Sequence, residues 1–234
     1  MHRRGLWLAA WALGCVLGSA WWVAQSMAES RNAFETDARI AHRLLSQRAV
    51  QHEAVLSTLS LMQPAVDARL PAIYPQFLHM WRRTASQPWP ADAALAQALA
   101  AAERRPGQPE LVRADLAQGR FWIAMAPPPG SLPEAASYAL EVSLPLMVPW
   151  ADWPFGDSPT AGAARTTRAW LAHGDARWAM HGSPAGLELG RFTFSKHVAA
   201  ASQPFDVVAE RSYGLADVPW VTVGVWLLAW TLAL

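Results

Sequence analysis

Ala41, Leu45, His52, Val55, Leu59 and Met62 recur at steps of three, four and seven, with charged residues between them. Residues 33–62 contain no glycine or proline. This period predicts a long amphipathic helix over 33–62, continuing from the segment before it with little break. Pro64 ends or kinks it. "ARLPAIYPQFLHMWRR" holds two prolines and reads as short helices and turns. Residues 91–105, "ADAALAQALAAAERR", lie between Pro90 and Pro106 and predict an alanine-rich helix. Asp92 near its start and Arg104–Arg105 at its end both suit the helix dipole.

Beyond residue 110 the period shortens to two. "LVRADL" (111–116) and "GRFWIAMA" (119–126) predict strands around a tight turn at Gln118–Gly119. Tyr138, Leu140, Val142 and Leu144 alternate with other residues, as in a half-buried strand. "RTTRAWLAHGD" and "ARWAMHG" predict a hairpin turning at Gly174–Asp175. Residues 187–199 and 205–214 are the last strands. Helices followed by five or six mostly consecutive strands predict an α+β fold with an antiparallel sheet. A sheet with helices over one face leaves room between them for a small ligand.

The two ends carry a different pattern. Residues 5–24, "GLWLAAWALGCVLGSAWWVA", hold no charge and reach about 30 Å as a helix, the thickness of a bilayer core. Residues 218–234, "VPWVTVGVWLLAWTLAL", hold none either and reach about 26 Å. The first segment also has the marks of a cleaved export signal: a positive start and a small-x-small "SMA" ending at Ala28. Its apolar run exceeds the roughly 7–15 residues of such signals. Trp21 and Trp22 also sit where an interfacial aromatic belt lies, which favours an uncleaved anchor.

Arg3 and Arg4 precede the first segment, so the positive-inside rule places the N-terminus in the cytoplasm. The expected division is a cytoplasmic start over 1–4, a transmembrane helix over 5–24, a periplasmic domain over 25–217 and a second transmembrane helix over 218–234. A chain ending at Leu234 would leave a carboxylate within the apolar layer. This predicts that residues 1–234 are the front part of a longer protein.

Composition narrows the function. Charged residues make up 16% of the chain and the formal net charge is +1, which gives no basic footprint for nucleic acid. Cys15, the one cysteine, lies in the first apolar segment, so the outer domain has no disulfide and no thiolate metal site.

Candidate chemistry is sparse. "HEAVL" at His52 has the histidine and acid of a kinase phospho-acceptor, but Ser57 stands where the proline belongs. It lacks the second histidine of H-E-x-x-H, because position 56 is leucine. His173 and His181 would face each other across the hairpin as a surface pair. "GDSPT" (156–160) lacks the second glycine of a nucleophile elbow and reads as a turn. No catalytic residue, metal site or cofactor is assigned.

Fourteen tryptophans are the unusual feature of the composition. Most serve packing. A minority would line a pocket, with Trp122 as the aromatic wall and Arg120, Tyr138 and Arg191 as polar anchors on strands. An arginine there favours a carboxylate-bearing ligand. The plain alternative for each arginine is a solvated charge at a strand edge.

The arrangement resembles the input half of bacterial sensor histidine kinases with a periplasmic PAS-, Cache- or CHASE-like domain. "RLLSQRAVQHEAVLSTLSLMQP" is similar to the helix that opens such domains, and "ASYALEVSLPLMVPW" and "SQPFDVVAERSYGLADVPW" to their closing strands. The resemblance implies an inner-membrane module that senses a small molecule or protein in the periplasm. It implies signalling to a response regulator through parts beyond Leu234. Two long helices would pair across a homodimer through the Ala41/Leu45/Val55/Leu59 stripe. The same module also fits the input of a chemoreceptor or a cyclic-dinucleotide cyclase. A free-standing envelope binding protein is the alternative of another class.

Overall fold

The first helix, α1, runs unbroken from His2 to Leu61, and its two halves meet different surroundings. In the N-terminal half Leu6, Trp7, Leu8, Val16 and Trp21 are 64–71% exposed. Such a run of bare apolar side chains fits a lipid solvent. In the C-terminal half Phe34, Ala38, Ala41, Leu45, Ala49, His52, Leu56 and Leu59 are buried at steps of three and four. The computed structural model describes residues 2–61, 70–84, 89, 92–131, 135–155, 167–182 and 188–233. Met62, Pro64 and the 156–160 stretch lie outside them.

Beyond α1 come a short helix α2 (Leu70–Ile73), strand β1 (Phe77–Arg83), helix α3 (Ala93–Ala102), and strands β2 (Glu110–Asp115), β3 (Arg120–Met125) and β4 (Ser137–Ser143). A short helix α4 (Leu144–Met147) precedes β5 (Thr167–His173), β6 (Ala176–Gly182), β7 (Glu188–His197) and β8 (Asp206–Gly214). Helix α5 (Trp220–Leu232) comes last. The class is α+β with a long N-terminal helix and antiparallel strands. The strands form two four-stranded sheets, in the orders β1-β4-β3-β2 and β6-β5-β8-β7.

Both sheets lie against the same side of α1 and share one core. His52 of α1 packs edge-on to Phe77 at 5.1 Å, and Phe121 of β3 meets Phe205 at 5.0 Å, beside the start of β8. Polar ties run mostly to the second sheet and its 198–206 turn. Arg211 of β8, buried, donates to Asp37 Oδ2 (3.0 Å) and Thr167 Oγ1 (3.0 Å), and lies over the Phe34 ring. The Ala199 amide donates to Ser46 Oγ, Gln203 Nε2 to the Ala49 carbonyl, and the Ser202 amide to Glu53.

Several expectations change here. The Ala41/Leu45/Val55/Leu59 stripe is not free to pair with a second copy. Ala41 and Leu45 are fully buried, Leu59 is 4% exposed and Val55 packs on the same core, because this face meets the protomer's own sheets. "FLHMWRR" is not a turn region but strand β1, which pairs with β4 far along the chain. β4 is buried along its whole length, not half-buried, because α3 covers its second face. Residues 91–105 yield a helix of 93–102. Asp92 caps it, accepting from the Ala94 and Leu95 amides at 3.0 and 3.1 Å. The expected turn before β3 is present, with Gly119 at φ +66. A Cβ there would sit 3.1 Å from Trp178 Nε1 of the second sheet.

The second apolar end forms a helix of thirteen residues, about 20 Å long. Among the described residues one helix, α1, has the length and composition to cross a membrane. α5 packs back along the apolar half of α1. The Trp226 and Trp230 indoles stack at 5.6 Å and fill notches at Gly18 and Gly14, where any Cβ would collide with them. Trp230 Nε1 donates to the Trp11 carbonyl at 3.2 Å. Small residues opposite large ones are the usual means of close helix packing in lipid.

The two flanks of α1 are expected to respond differently to truncation. Leu45→Ala removes a fully buried side chain and should cost about 2–5 kcal/mol. Ile40→Ala, on the outer flank and 44% exposed, should cost less than about 1 kcal/mol. Denaturant unfolding of the full chain in lipid nanodiscs checks this; equal losses would contradict the inward orientation of the stripe.

Candidate functional site

Strand register builds the site. His79 of β1 is paired with Glu141 of β4, Glu141 with Trp122 of β3, and Trp122 with Arg113 of β2. The four side chains form a row across the first sheet, on the face away from α1. Arg120, two residues before Trp122, shares that face. The face exists because β3 and β4 alternate cleanly. Phe121, Ile123, Leu140 and Val142 go to α1, and Trp122, Ala124 and Ala139 go to α3.

A buried carboxylate sits at the centre. Glu141, 4% exposed, accepts from His79 Nδ1 at 2.8 Å and from Arg120 Nη1 at 3.0 Å. The Trp122 ring lies between charges: the Arg113 guanidinium is 5.4 Å from its centroid and that of Arg120 is 5.9 Å away. Arg113 also donates to Asp92 at 3.2 Å. The Leu95 amide and then the Ala94 amide, with Arg113 adding to them, hold the Asp92 carboxyl below the usual carboxylate range. The α3 cap and the sheet are thereby joined. Trp89, Leu95 and Leu99 cover the row from above, and Arg83 lies 5.6 Å over the Trp89 ring while pairing with Glu103.

Two indole donors in this layer have no acceptor among the described residues. The indole N–H groups of Trp89 and Trp122 are buried and meet no partner among the described residues. A buried indole N–H ordinarily finds one, and leaving it bare costs about 1–3 kcal/mol. Both rings stand beside arginines, Trp89 under Arg83 and Trp122 between Arg113 and Arg120. Glu141 is already satisfied by the protein, so it orients Arg120 rather than awaiting a substrate.

The expected anchors therefore separate. Arg120 and Trp122 come together. Tyr138 does not join them: it is buried on the α1 side of β4 with Leu140 and Val142. Arg191 lies on β7 of the second sheet, exposed and bound to Glu188 at 2.8 Å. That bond pushes its pKa up, while Ser212, followed by Arg191, holds the Glu188 carboxyl down. Surface pairs of this kind contribute little to stability. His79, Trp89, Arg113 and Glu141 were not singled out from the sequence. Glu141 did carry a signal, as a lone acid between apolar positions of a strand.

The remaining motifs take structural places. His173 is paired with Ala176, and His181 with Ala169, so the two histidines are not opposite each other. His52, from "HEAVL", is fully buried, with Nδ1 3.4 Å from Gln203 Oε1. Among the described residues no three His, Cys, Asp or Glu side chains gather into a metal-binding group. In comparison with known proteins, the chain matches no family model and no curated protein.

His52 makes the core acid-sensitive. Burial lowers its pKa from the ordinary 6.5 to about 4, against a smaller opposing effect of Gln203. The unfolded chain therefore binds a proton that the folded chain refuses, and stability falls as pH drops from 6.5 towards 4. The protein should be about 2 kcal/mol less stable at pH 5 than at pH 7 from this group. His52→Leu should remove that part of the slope. An unchanged pH dependence of the unfolding midpoint in the variant would contradict it.

Proposed function

We propose that the protein is a membrane-anchored sensing module that binds a small acceptor-bearing ligand on the first sheet and passes its state along α1. The observation that carries this reading is the continuity of α1. One helix runs from a bare apolar segment into the core of both sheets. A change in how the sheets hold the buried stripe is a change in the helix that enters the lipid. β8 supports the same reading. It ends near Ser26 of α1, where Tyr213 Oη donates to Ser26 Oγ at 3.0 Å. It then leads through a single turn of 3-10 helix into α5. Strand and helix both return to the segment through which α1 leaves the outer domain.

In this reading residues 25–217 are periplasmic, the N-terminus is cytoplasmic and α5 belongs to a second crossing. The module is the input half of a sensor histidine kinase with a Cache- or CHASE-like domain, acting as a homodimer and answered by a response regulator. Inputs of chemoreceptors and cyclic-dinucleotide cyclases share this part. Coupling of about 1–3 kcal/mol between ligand and helix state is typical and shifts an equilibrium 5- to 150-fold. Because α1 is the one described helix that meets the length and composition of a span, a singly anchored binding protein is the second reading.

Two measurements test the proposal. A panel of small carboxylic and amino acids, added to the full chain in nanodiscs, should contain members that raise its melting temperature. Trp122→Ala and Arg113→Ala should each weaken that response about tenfold, the loss of roughly one strong polar contact. A panel without effect, or a response indifferent to both variants, removes the ligand site. A reporter fused after Leu234 should be active on the cytoplasmic side; activity on the far side selects the singly anchored protein.

A further inference from the structure

Between the outer flank of α1 and the edge strand β7 lies a groove of about 630 Å³, on the second sheet and apart from the Trp122 row. Its floor is Phe194, Val50 and Ala199; its rim carries Arg39, Arg43 and Lys196, and no carboxylate lines it. Arg39 is held by Glu35 at 2.8 Å. Arg43 and Lys196 meet no acid among the described residues and are exposed. The walls are set by bonds across them. His42 Nε2 donates to the His197 carbonyl at 2.6 Å, and the Ala199 amide donates to Ser46 Oγ at 3.2 Å. The His42 ring stands edge-on to Phe194, with centroids 6.4 Å apart.

We infer that this groove is a second ligand site, for a small organic anion with one acidic head and an aromatic or branched apolar body. Phe194 and Val50 take the body, and Arg43 and Lys196 take the head by charge-assisted bonds. Charge excludes a cation, and the apolar floor distinguishes the occupant from a bare inorganic ion. A lipid headgroup does not reach it. Arg39 follows Trp22 by about 26 Å of helix, whereas the headgroup layer on each side is roughly 5–8 Å deep. An anion seated here bridges α1 and β7, and so acts directly on the helix that leaves the domain.

Calorimetric titration of the full chain in neutral-lipid nanodiscs, with three probes, tests the assignment. Benzoate should bind; benzyl alcohol, with the same body and no charge, and inorganic phosphate, with charge and no body, should bind at least about tenfold more weakly. Arg43→Glu and Lys196→Glu should each weaken benzoate about tenfold or more. Arg191→Glu, an equal charge change on the same strand outside the groove, should leave it unchanged. Both groove side chains are exposed, so the variants should melt at the parent temperature without ligand, whereas the parent alone gains stability from benzoate. The site is refuted if benzoate fails to bind at tens of millimolar or binds no better than either control. Indifference to both groove variants, or equal weakening by Arg191→Glu, refutes it as well.

Discussion

Everything in this protein rests on one stripe of α1, from Phe34 to Leu59, pressed against two sheets at once. The stripe alternates bulk with its absence. Phe34, Leu45 and Leu56 fill space, and Ala38, Ala41 and Ala49 let strands approach the helix backbone. Burial of each large member stabilises the fold by about 1.5–3 kcal/mol. Neither sheet can shed its contact without exposing its own inner face, so the helix and both sheets form one cooperative core. The helix that carries this core also carries the bare apolar half, which ties the two sheets to whatever surrounds Leu6 to Trp22.

The attachment to the two sheets differs in kind. Towards the second sheet α1 is held by directional bonds: Asp37 to Arg211, His42 to the His197 carbonyl, Ser46 to Ala199 and Glu53 to Ser202. Towards the first sheet the contacts are mainly apolar, with His52 on Phe77 and Ser57 near the Met125 sulfur. Hydrogen bonds set a register, whereas apolar contact tolerates small sliding. The sheet that bears the Trp122 row is therefore the less rigidly keyed of the two.

The layer between the first sheet and α3 has the opposite character to the core. It keeps charges close to aromatic faces, and the indole N–H groups of Trp89 and Trp122 meet no partner there among the described residues. Glu141 shows how the sheet manages this: a carboxylate buried at the centre is acceptable because His79 and Arg120 satisfy it from neighbouring strands. Arg113 is held in turn by the residue that caps α3. Helix, cap, cation and ring are thus joined in sequence.

What the sequence determined by itself was local. The 3.6-residue period of 33–62, the absence of glycine and proline there, Asp92 before an alanine run, and glycines at 119 and 174 set the second half of α1, α3 and two tight turns. The uncharged run of 5–24 was equally plain, as was the inward alternation of Leu140 and Val142. What only the tertiary structure decided was non-local. β1 was hidden because its pairing with β4 joins residues more than fifty positions apart, and two prolines masked it. The division into two sheets, the burial of Ala41 and Leu45 against the protomer's own strands, and the row His79–Glu141–Trp122–Arg113 depend on register between strands. Side-chain period tells which face a residue takes but not which strand lies beside it. Arg120 and Trp122 were therefore legible as candidates, while the partners that make them a site were not.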